Sequence, residues 1–239
     1  MREISVVLPA YNEEENIRPV VEKIYRYLLK KFKTFEIIVV NDGSRDGTEA
    51  EVRQMMKRVS QLKLINHPAN RGYGAALRSG FYAAKYPWVF YTDSDGQFEI
   101  ADLEKLLPLT DKYDIVAGYR VNRQDPLMRI FIARVYNLVI RLALGLSIRD
   151  VDCAFKIYRK RVFEKIKLMS ETGLVDAEVL VKAKCAGFTI GQTGVRHFPR
   201  TRGQTIYEVG GRNKFFAFVK PAVVINLLKE IMALRRQLV

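Results

Sequence analysis

The sequence predicts an α/β protein whose mostly parallel sheet carries helices on both faces, and three observations support this. Apolar runs too short for helices, at residues 4–8, 35–40 and 62–65, alternate with stretches whose apolar residues recur at helical spacing. The runs are rich in Ile and Val rather than alternating with polar residues, as strands covered on both faces require. Three of the predicted strands also end in short polar loops bearing a carboxylate, at Glu13, Asp42 and Asp93. Sheets wound in this way place their ligands at that carboxyl edge.

The elements follow in order. The first strand, residues 4–8, is ended by Pro9, which has no N–H for a ladder. Asn12 is read as the N-cap of a helix with an acidic first turn and an apolar stripe of Ile17, Val20, Val21, Ile24 and Leu28. A second strand at 35–40 stops at Asn41-Asp42-Gly43-Ser44. A helix over 48–60 and a third strand at 62–65 come next. The loop Asn70-Arg71-Gly72-Tyr73-Gly74 opens a helix at 75–84. Its glycines suit either amides approaching a phosphate or a plain helix start, and the residues alone do not choose. Trp88-Val89-Phe90 is the fourth strand and 115–118 a fifth, followed by a long helix at 127–144, a helix at 176–185 and an extended segment at 189–198.

The 239 residues, 49% hydrophobic and 28% charged, suffice for one well-filled domain, and a formal charge of +14 calls for an anionic partner. Nucleic acid, an acidic membrane surface and phosphorylated substrates all qualify on charge. A nucleic-acid module is disfavoured, because basic residues do not interleave with aromatics on a strand platform and three carboxylate loops on one edge repel a phosphate backbone. Cys153 and Cys185 form no paired pattern and are expected to be reduced thiols, and the isolated His67 and His197 are read as structural. The amino terminus runs directly into a strand, which is read as the mark of a chain that stays on the cytoplasmic side.

The centre of the sequence is Tyr91-Thr92-Asp93-Ser94-Asp95-Gly96-Gln97. Asp93 and Asp95, two apart, lean the same way on an extended segment, and Gly96 allows the turn that brings in the Gln97 amide oxygen. Two carboxylates and a neutral oxygen suit Mg²⁺ or Mn²⁺, held by few protein ligands so that substrate phosphates complete the shell.

Leu8-Pro9-Ala10-Tyr11-Asn12-Glu13, Val40-Asn41-Asp42-Gly43-Ser44-Arg45-Asp46-Gly47-Thr48 and Asp93-Ser94-Asp95-Gly96-Gln97 resemble, in order, the nucleotide-sugar motifs of the family-2 inverting glycosyltransferases. Within that family the sequence is most similar to the dolichol-phosphate and polyprenol-phosphate mannose or glucose synthases, over roughly residues 4–205. The resemblance implies the GT-A fold, a Rossmann-like α/β sheet, with a basic amphipathic acceptor region. It also implies that Pro9, Tyr11, Glu13, Asp42 and Asp93 contact the nucleotide sugar, and that Asp93, Asp95 and Gln97 hold the Mg²⁺ or Mn²⁺, with Asp95 catalytic.

On the acceptor side, Arg120 and Arg123 leave the fifth strand near the cation loop and are candidates for holding phosphate. The helix at 127–144 carries Met128, Phe131, Ile132, Val135, Leu138, Val139 and Leu142 with Arg129, Arg134 and Arg141 interspersed, an amphipathic basic segment that either packs on its own domain or meets an anionic membrane. Ala133-Arg134-Val135-Tyr136-Asn137 resembles the family's Ser-Arg-x-x-Asn acceptor motif, with alanine in place of serine. Asp152 matches the family's carboxylate near the acceptor and is the second catalytic candidate. Arg200-Thr201-Arg202-Gly203-Gln204-Thr205 resembles the family's Arg-x-x-Gly-x-Ser loop, which makes Arg200 and Arg202 phosphate contacts. Residues 1–212 are read as the catalytic domain and 213–239 as an apolar and basic helical segment that lies in the membrane interface, too short and interrupted to span a membrane, which takes about 20 apolar residues.

The resemblance implies inverting transfer of a hexose from a nucleoside-diphosphate sugar to a polyprenyl phosphate at the inner membrane face. A phosphate monoester has a second pKa of about 6, so it attacks already ionised and needs little from Asp152. The alternative is a sugar-hydroxyl acceptor, for which Asp152 is a true general base. Guanine or uracil, the identity of the hexose, and the presence of a separate membrane subunit stay open.

Overall fold

The computed structural model describes residues 3–121, 127–200, 202 and 221–238. Among the described residues, seven strands form one sheet: β1 (Glu3–Ala10), β2 (Thr34–Asn41), β3 (Leu62–Asn66), β4 (Trp88–Thr92), β5 (Ile115–Val121), β6 (Phe155–Arg159) and β7 (Ile190–Arg196). Their order is β3-β2-β1-β4-β6-β5-β7. Pairing is parallel except at β6, which runs antiparallel to both β4 and β5. This reversal brings two loops together. Thr92 pairs with Phe155, so the segment entering β6 lies beside the segment leaving β4, at the edge where the parallel strands end.

The helices are α1 (Glu14–Lys31), α2 (Thr48–Met56), α3 (Tyr73–Ala83), α4 (Leu103–Leu106), α5 (Leu127–Leu144), α6 (Arg161–Lys165), α7 (Val175–Cys185) and α8 (Pro221–Arg236). Because strand side chains alternate between faces, Val6, Leu8, Ile37, Val39 and Phe90 join α1 and α2 in one core layer. Val7, Ile38, Val40, Val89 and Tyr91 join α3, α7 and parts of α5 and α8 in the other. In α1 the predicted stripe is the buried one at Ile17, Val21, Ile24 and Leu28. Each such side chain contributes about 1.5–3 kcal/mol when fully buried, enough to hold a helix that contains Pro19.

Three local expectations are corrected. Asn12 does not cap α1: Glu13 is the capping position, and Asn12 adopts a positive φ of 56°. Its side-chain oxygen accepts from the Arg45 amide (2.8 Å) and its own amide donates to Ser44 Oγ (2.9 Å), so it ties the first strand's loop to the second's. A short polar side chain tolerates that left-handed conformation better than most. Helix α2 ends at Met56, four residues earlier than its periodicity predicts, and α3 begins at Tyr73, two residues earlier.

In helix α5 the structure selects the buried face, which the sequence left open. Asn137, Ile140 and Leu144 point into the core. Phe131, Val135, Leu138 and Leu142, spaced along one side, are exposed, with Leu142 at 77% and Phe131 at 61%. The helix is apolar on two sides, so periodicity alone could not select the core side. Helix α8 docks on the same domain, burying Ile231 and Leu234 in the core that α3 and α7 share. Thr172 donates to Glu230 (2.6 Å) and Lys182 to Gln237 (2.7 Å) across that contact.

Candidate active site

The tip of β4 is held on three sides. Ser94 Oγ donates to the Pro9 carbonyl at 2.7 Å, fixing the tip against the end of β1. Asp95 Oδ1 accepts from the Gln97 amide at 3.0 Å, a side-chain turn that Gly96 permits with φ +76°. Tyr73, the first residue of α3, donates its hydroxyl to Asp93 Oδ1 at 2.9 Å. Burial first, and then the Asp95 carboxylate beside it, push the Asp93 pKa up to about 8. Two crowded carboxylates in a dry setting repel each other, and a divalent cation relieves that repulsion.

Gln97 is buried. Its Nε2 donates to the Phe198 carbonyl at 2.8 Å, and the Phe198 amide donates back to the Gln97 carbonyl at 2.8 Å. The side chain thus fastens the chain leaving β7 to the tip of β4, a structural duty that composition did not suggest. Among the described residues, no group of three or more His, Cys, Asp or Glu is arranged to hold a metal ion. The oxygen pair of Asp93 and Asp95 nevertheless fits Mg²⁺ or Mn²⁺, ions that take one or two carboxylates and fill the remaining positions with water or phosphate oxygens.

The loop entering β6 supplies the other half. Asp150 grips Arg120 in a two-pronged ion pair, Nε to Oδ2 and Nη2 to Oδ1, both 2.7 Å, and also accepts the Arg120 amide at 3.2 Å. Arg120, expected to hold acceptor phosphate, is committed to that pair. Asp152 differs: its Oδ1 is buried without a hydrogen-bond partner. Burial first, then the nearby Asp176 carboxylate, push its pKa up to about 7. Asn137 of α5 places this loop, accepting the Val151 amide at 2.8 Å while donating to the Ala133 carbonyl.

Between the two halves lies a buried network. The Lys156 ammonium, 0% exposed, reaches Asp176 Oδ1 (2.5 Å), the Cys153 carbonyl (2.8 Å) and the Tyr91 hydroxyl (3.0 Å). Tyr91 in turn donates to Asp176. One cation therefore joins β4, the Asp152 loop and α7. Neither Lys156 nor Asp176 was singled out as a site residue. The available signal was a charge inside an apolar strand, flanked by Phe155 and Ile157, which calls for a buried partner.

The remaining candidates fall as follows. Asp42 is buried, and its carboxylate accepts the Arg71 and Gly72 amides (3.0 and 2.8 Å) and faces His67 Nδ1 at 2.6 Å. Pro9 lies in β1 and Tyr11 is half-buried just beyond it. Arg200 is bound to Glu13 (2.7 Å), and Asn16 donates to the Arg202 carbonyl (3.3 Å), so the strap after β7 lies across the loop after β1. Arg202 Nη1 lies 3.5 Å from the Glu15 carbonyl, which Pro19 has no N–H to serve. Burial raises the Glu13 pKa, against the opposing influence of Asn16 and Arg200. Arg134 is exposed on α5, away from these contacts, and Arg123 lies outside the described residues. A cleft of 280 Å³ lined by Asp93, Asp95, Phe98, Phe155 and Arg202 opens here. One of 590 Å³ lined by Asn41, Ser44, Asn66, His67 and Asn70 lies along the same edge, beyond β2 and β3.

A parallel sheet crossed by one antiparallel strand, with paired carboxylates at its carboxyl edge, defines a protein of GT-A type. The family model for glycosyl transferase family 2 matches residues 5–167, and the chain belongs to that family. A dolichyl-phosphate beta-glucosyltransferase of Trichomonas vaginalis is 32% identical over 211 residues, covering 80% of this chain and 64% of its own. A dodecaprenyl-phosphate galacturonate synthase of Rhizobium johnstonii is 29% identical over 215 residues, covering 87% of this chain and 62% of its own. The chain thus spans less than two thirds of the length of these relatives. Among solved structures, glucosyl-3-phosphoglycerate synthase from Mycobacterium tuberculosis in complex with Mn²⁺ and UDP-glucose superposes with a TM-score of 0.68 at 20% identity, over 95% of this chain and 78% of the other. That likeness establishes the fold.

Proposed function

We propose that the protein transfers a sugar from a nucleoside diphosphate to a polyprenyl phosphate, with inversion. One observation carries this reading: antiparallel β6 lays the Asp152 loop beside Asp93 and Asp95, so carboxylates suited to a cation and a carboxylate with an unmatched oxygen meet at one edge. The relatives support the acceptor more than the sugar. Their names vary among glucose, galacturonate and 4-deoxy-4-formamido-arabinose, while dolichyl, dodecaprenyl or undecaprenyl phosphate recurs. The UDP bound in structural neighbours favours a uridine donor over a guanosine one.

Asp93 and Asp95 would hold the Mg²⁺ or Mn²⁺. Such an ion, when bound, supplies positive charge where the leaving diphosphate becomes more negative. The chain's own groups do the rest. Pro9, Tyr11, Glu13 and Asp42 border the nucleotide, with the carboxylate of Asp42 acting through the Arg71 and Gly72 amides it holds. Arg200 and Arg202 close the strap over the cleft, Gln97 anchors that strap, and the exposed Arg134 on α5 would meet the incoming lipid phosphate. A lipid phosphate arrives ionised, so orientation contributes more than proton removal.

Among the described residues no helix is long and apolar enough to cross a membrane. The exposed row of Phe131, Val135, Leu138 and Leu142, flanked by exposed Arg134 and Arg141, supports peripheral docking on the anionic cytoplasmic face. A second reading, transfer to a sugar hydroxyl, draws on the Asp152 pKa of about 7, the value a general base needs at neutral pH.

The test is transfer of labelled sugar from UDP- and GDP-sugars to a short-chain polyprenyl phosphate, with wild type and Asp152→Asn. A loss of less than about tenfold on Asp152→Asn fits the phosphate acceptor. A loss of about 10² or more, the scale of a lost general base, favours the hydroxyl reading. Absence of transfer from any sugar nucleotide to any lipid phosphate defeats the proposal.

A further inference from the structure

Tyr73 stands between two features that the proposed function uses and has no role in it so far. Its hydroxyl donates to Asp93 Oδ1 at 2.9 Å, and the backbone that presents it has almost no latitude. Gly72 adopts φ +97°, and a Cβ there would lie 2.2 Å from the Glu171 carbonyl oxygen. At Gly74 a Cβ would lie 2.5 Å from the Ser170 carbonyl oxygen, and the Gly74 amide donates to the Glu171 carbonyl at 3.0 Å. From the other side, Asp42 accepts the Arg71 and Gly72 amides. The start of α3 is therefore clamped between the end of β2 and residues 170–172, and the clamp ends on a carboxylate of the β4 tip.

We propose that Tyr73 is a positioning residue for the cation site: its hydroxyl fixes the orientation of the Asp93 carboxylate, and Asp42 holds the loop that aims it. The inference rests on reading Asp93 and Asp95 as cation ligands. A carboxylate on a short side chain rotates freely unless something outside the ligand set holds it, and partners of this kind are commonly worth 10- to 100-fold in metal affinity. The chemistry needs a neutral donor here, because a lysine or arginine would compete with the cation for the same oxygens. A tyrosine hydroxyl meets that need. It also explains why the glycine loop serves a purpose other than phosphate binding: a clamp on α3 requires both close backbone approaches.

The test is Mn²⁺ binding by electron paramagnetic resonance, with and without UDP, for wild type, Tyr73→Phe and Tyr158→Phe. The last variant removes a buried hydroxyl that has no partner and serves as the control. Tyr73→Phe is expected to weaken Mn²⁺ binding about tenfold or more while Tyr158→Phe stays near wild type, and saturating Mn²⁺ should restore turnover to Tyr73→Phe. Wild-type binding matched by Tyr73→Phe overturns the role of Tyr73 and leaves the cation site standing. If wild type itself binds no Mn²⁺ under either condition, the cation reading fails and takes this inference with it. Should Tyr73→Phe not fold, a wild-type crystal soaked with Mn²⁺ decides: the hydroxyl still on a ligating Asp93 supports the role, and a hydroxyl turned away from it refutes it.

Discussion

Residues 93–95 and 150–152 carry the same Asp-x-Asp spacing in loops at the adjoining ends of β4 and β6, yet the protein treats them in opposite ways. At the β4 tip, Asp93 receives a tyrosine hydroxyl and faces the like charge of Asp95, so its negative charge is costly. At the entry to β6, Asp150 is neutralised by Arg120, while Asp152 keeps a buried oxygen without a partner. Spacing alone does not set the role of a carboxylate. The neighbours do, and they differ because one loop leaves a parallel strand and the other enters the antiparallel one.

The comparison can be broken most forcefully at the first pair. Asp93→Asn should lower transfer by about 10³-fold, since it removes a group needed where leaving-group charge develops, while thermal stability holds or rises. A variant that keeps near-normal turnover would make the two pairs equivalent. The mirror experiment is Asp150→Asn, which strands the largely buried Arg120 guanidinium. The expected cost is about 3 kcal/mol of folding stability, measured by urea titration, with much smaller effects on Mn²⁺ affinity. A variant that unfolds at the wild-type urea midpoint but no longer binds Mn²⁺ would reverse the assignment.

Asp152 sharpens the contrast through pH. Its folded-state pKa of about 7 lies above the ordinary 3.8, so between those values the folded chain binds a proton that the unfolded chain has lost. The stability this contributes is fully present below about pH 4 and is lost as pH rises through 7. Asp152→Asn should therefore gain on wild type in melting temperature between about pH 5 and pH 8. An equal pH slope in both proteins would mean that Asp152 is ordinary. The smallest effect is expected outside the pairs altogether. Leu142→Ser on the exposed face of α5 should weaken binding to anionic vesicles by about tenfold, the worth of one buried leucine, and leave transfer to a detergent-solubilised acceptor unchanged. Unaltered vesicle binding would remove α5 from the membrane surface.

Much of the edge formed by β1, β2 and β4 was legible in the sequence, because these strands are short continuous apolar runs and the motifs sit where those runs stop. Asp93 and Asp95 could be placed from strand period and Gly96 alone. The acceptor half was harder to read. The partnership of Arg120 with Asp150 could not be read, because the sequence does not reveal that these residues, thirty apart, meet where β5 and β6 pair. The Lys156–Asp176 contact depends on the packing of α7 under β4, which no local pattern encodes. Helix α5 misled in another way: with apolar residues on two sides, its periodicity could not say which one faces water. Asn12 read as a cap because its chemistry suits capping, and its actual role in joining two loops uses the same hydrogen-bonding groups.

In the proposed reaction, oxygens at the tip of β4 would hold a divalent cation against the pyrophosphate of a sugar nucleotide. A crystal structure of the wild-type protein grown with Mn²⁺ and UDP tests it directly through the manganese anomalous signal. The account predicts a peak bonded to Asp93 or Asp95 and to both phosphates. A nucleotide bound with its phosphates elsewhere, and no manganese at those carboxylates, would contradict it.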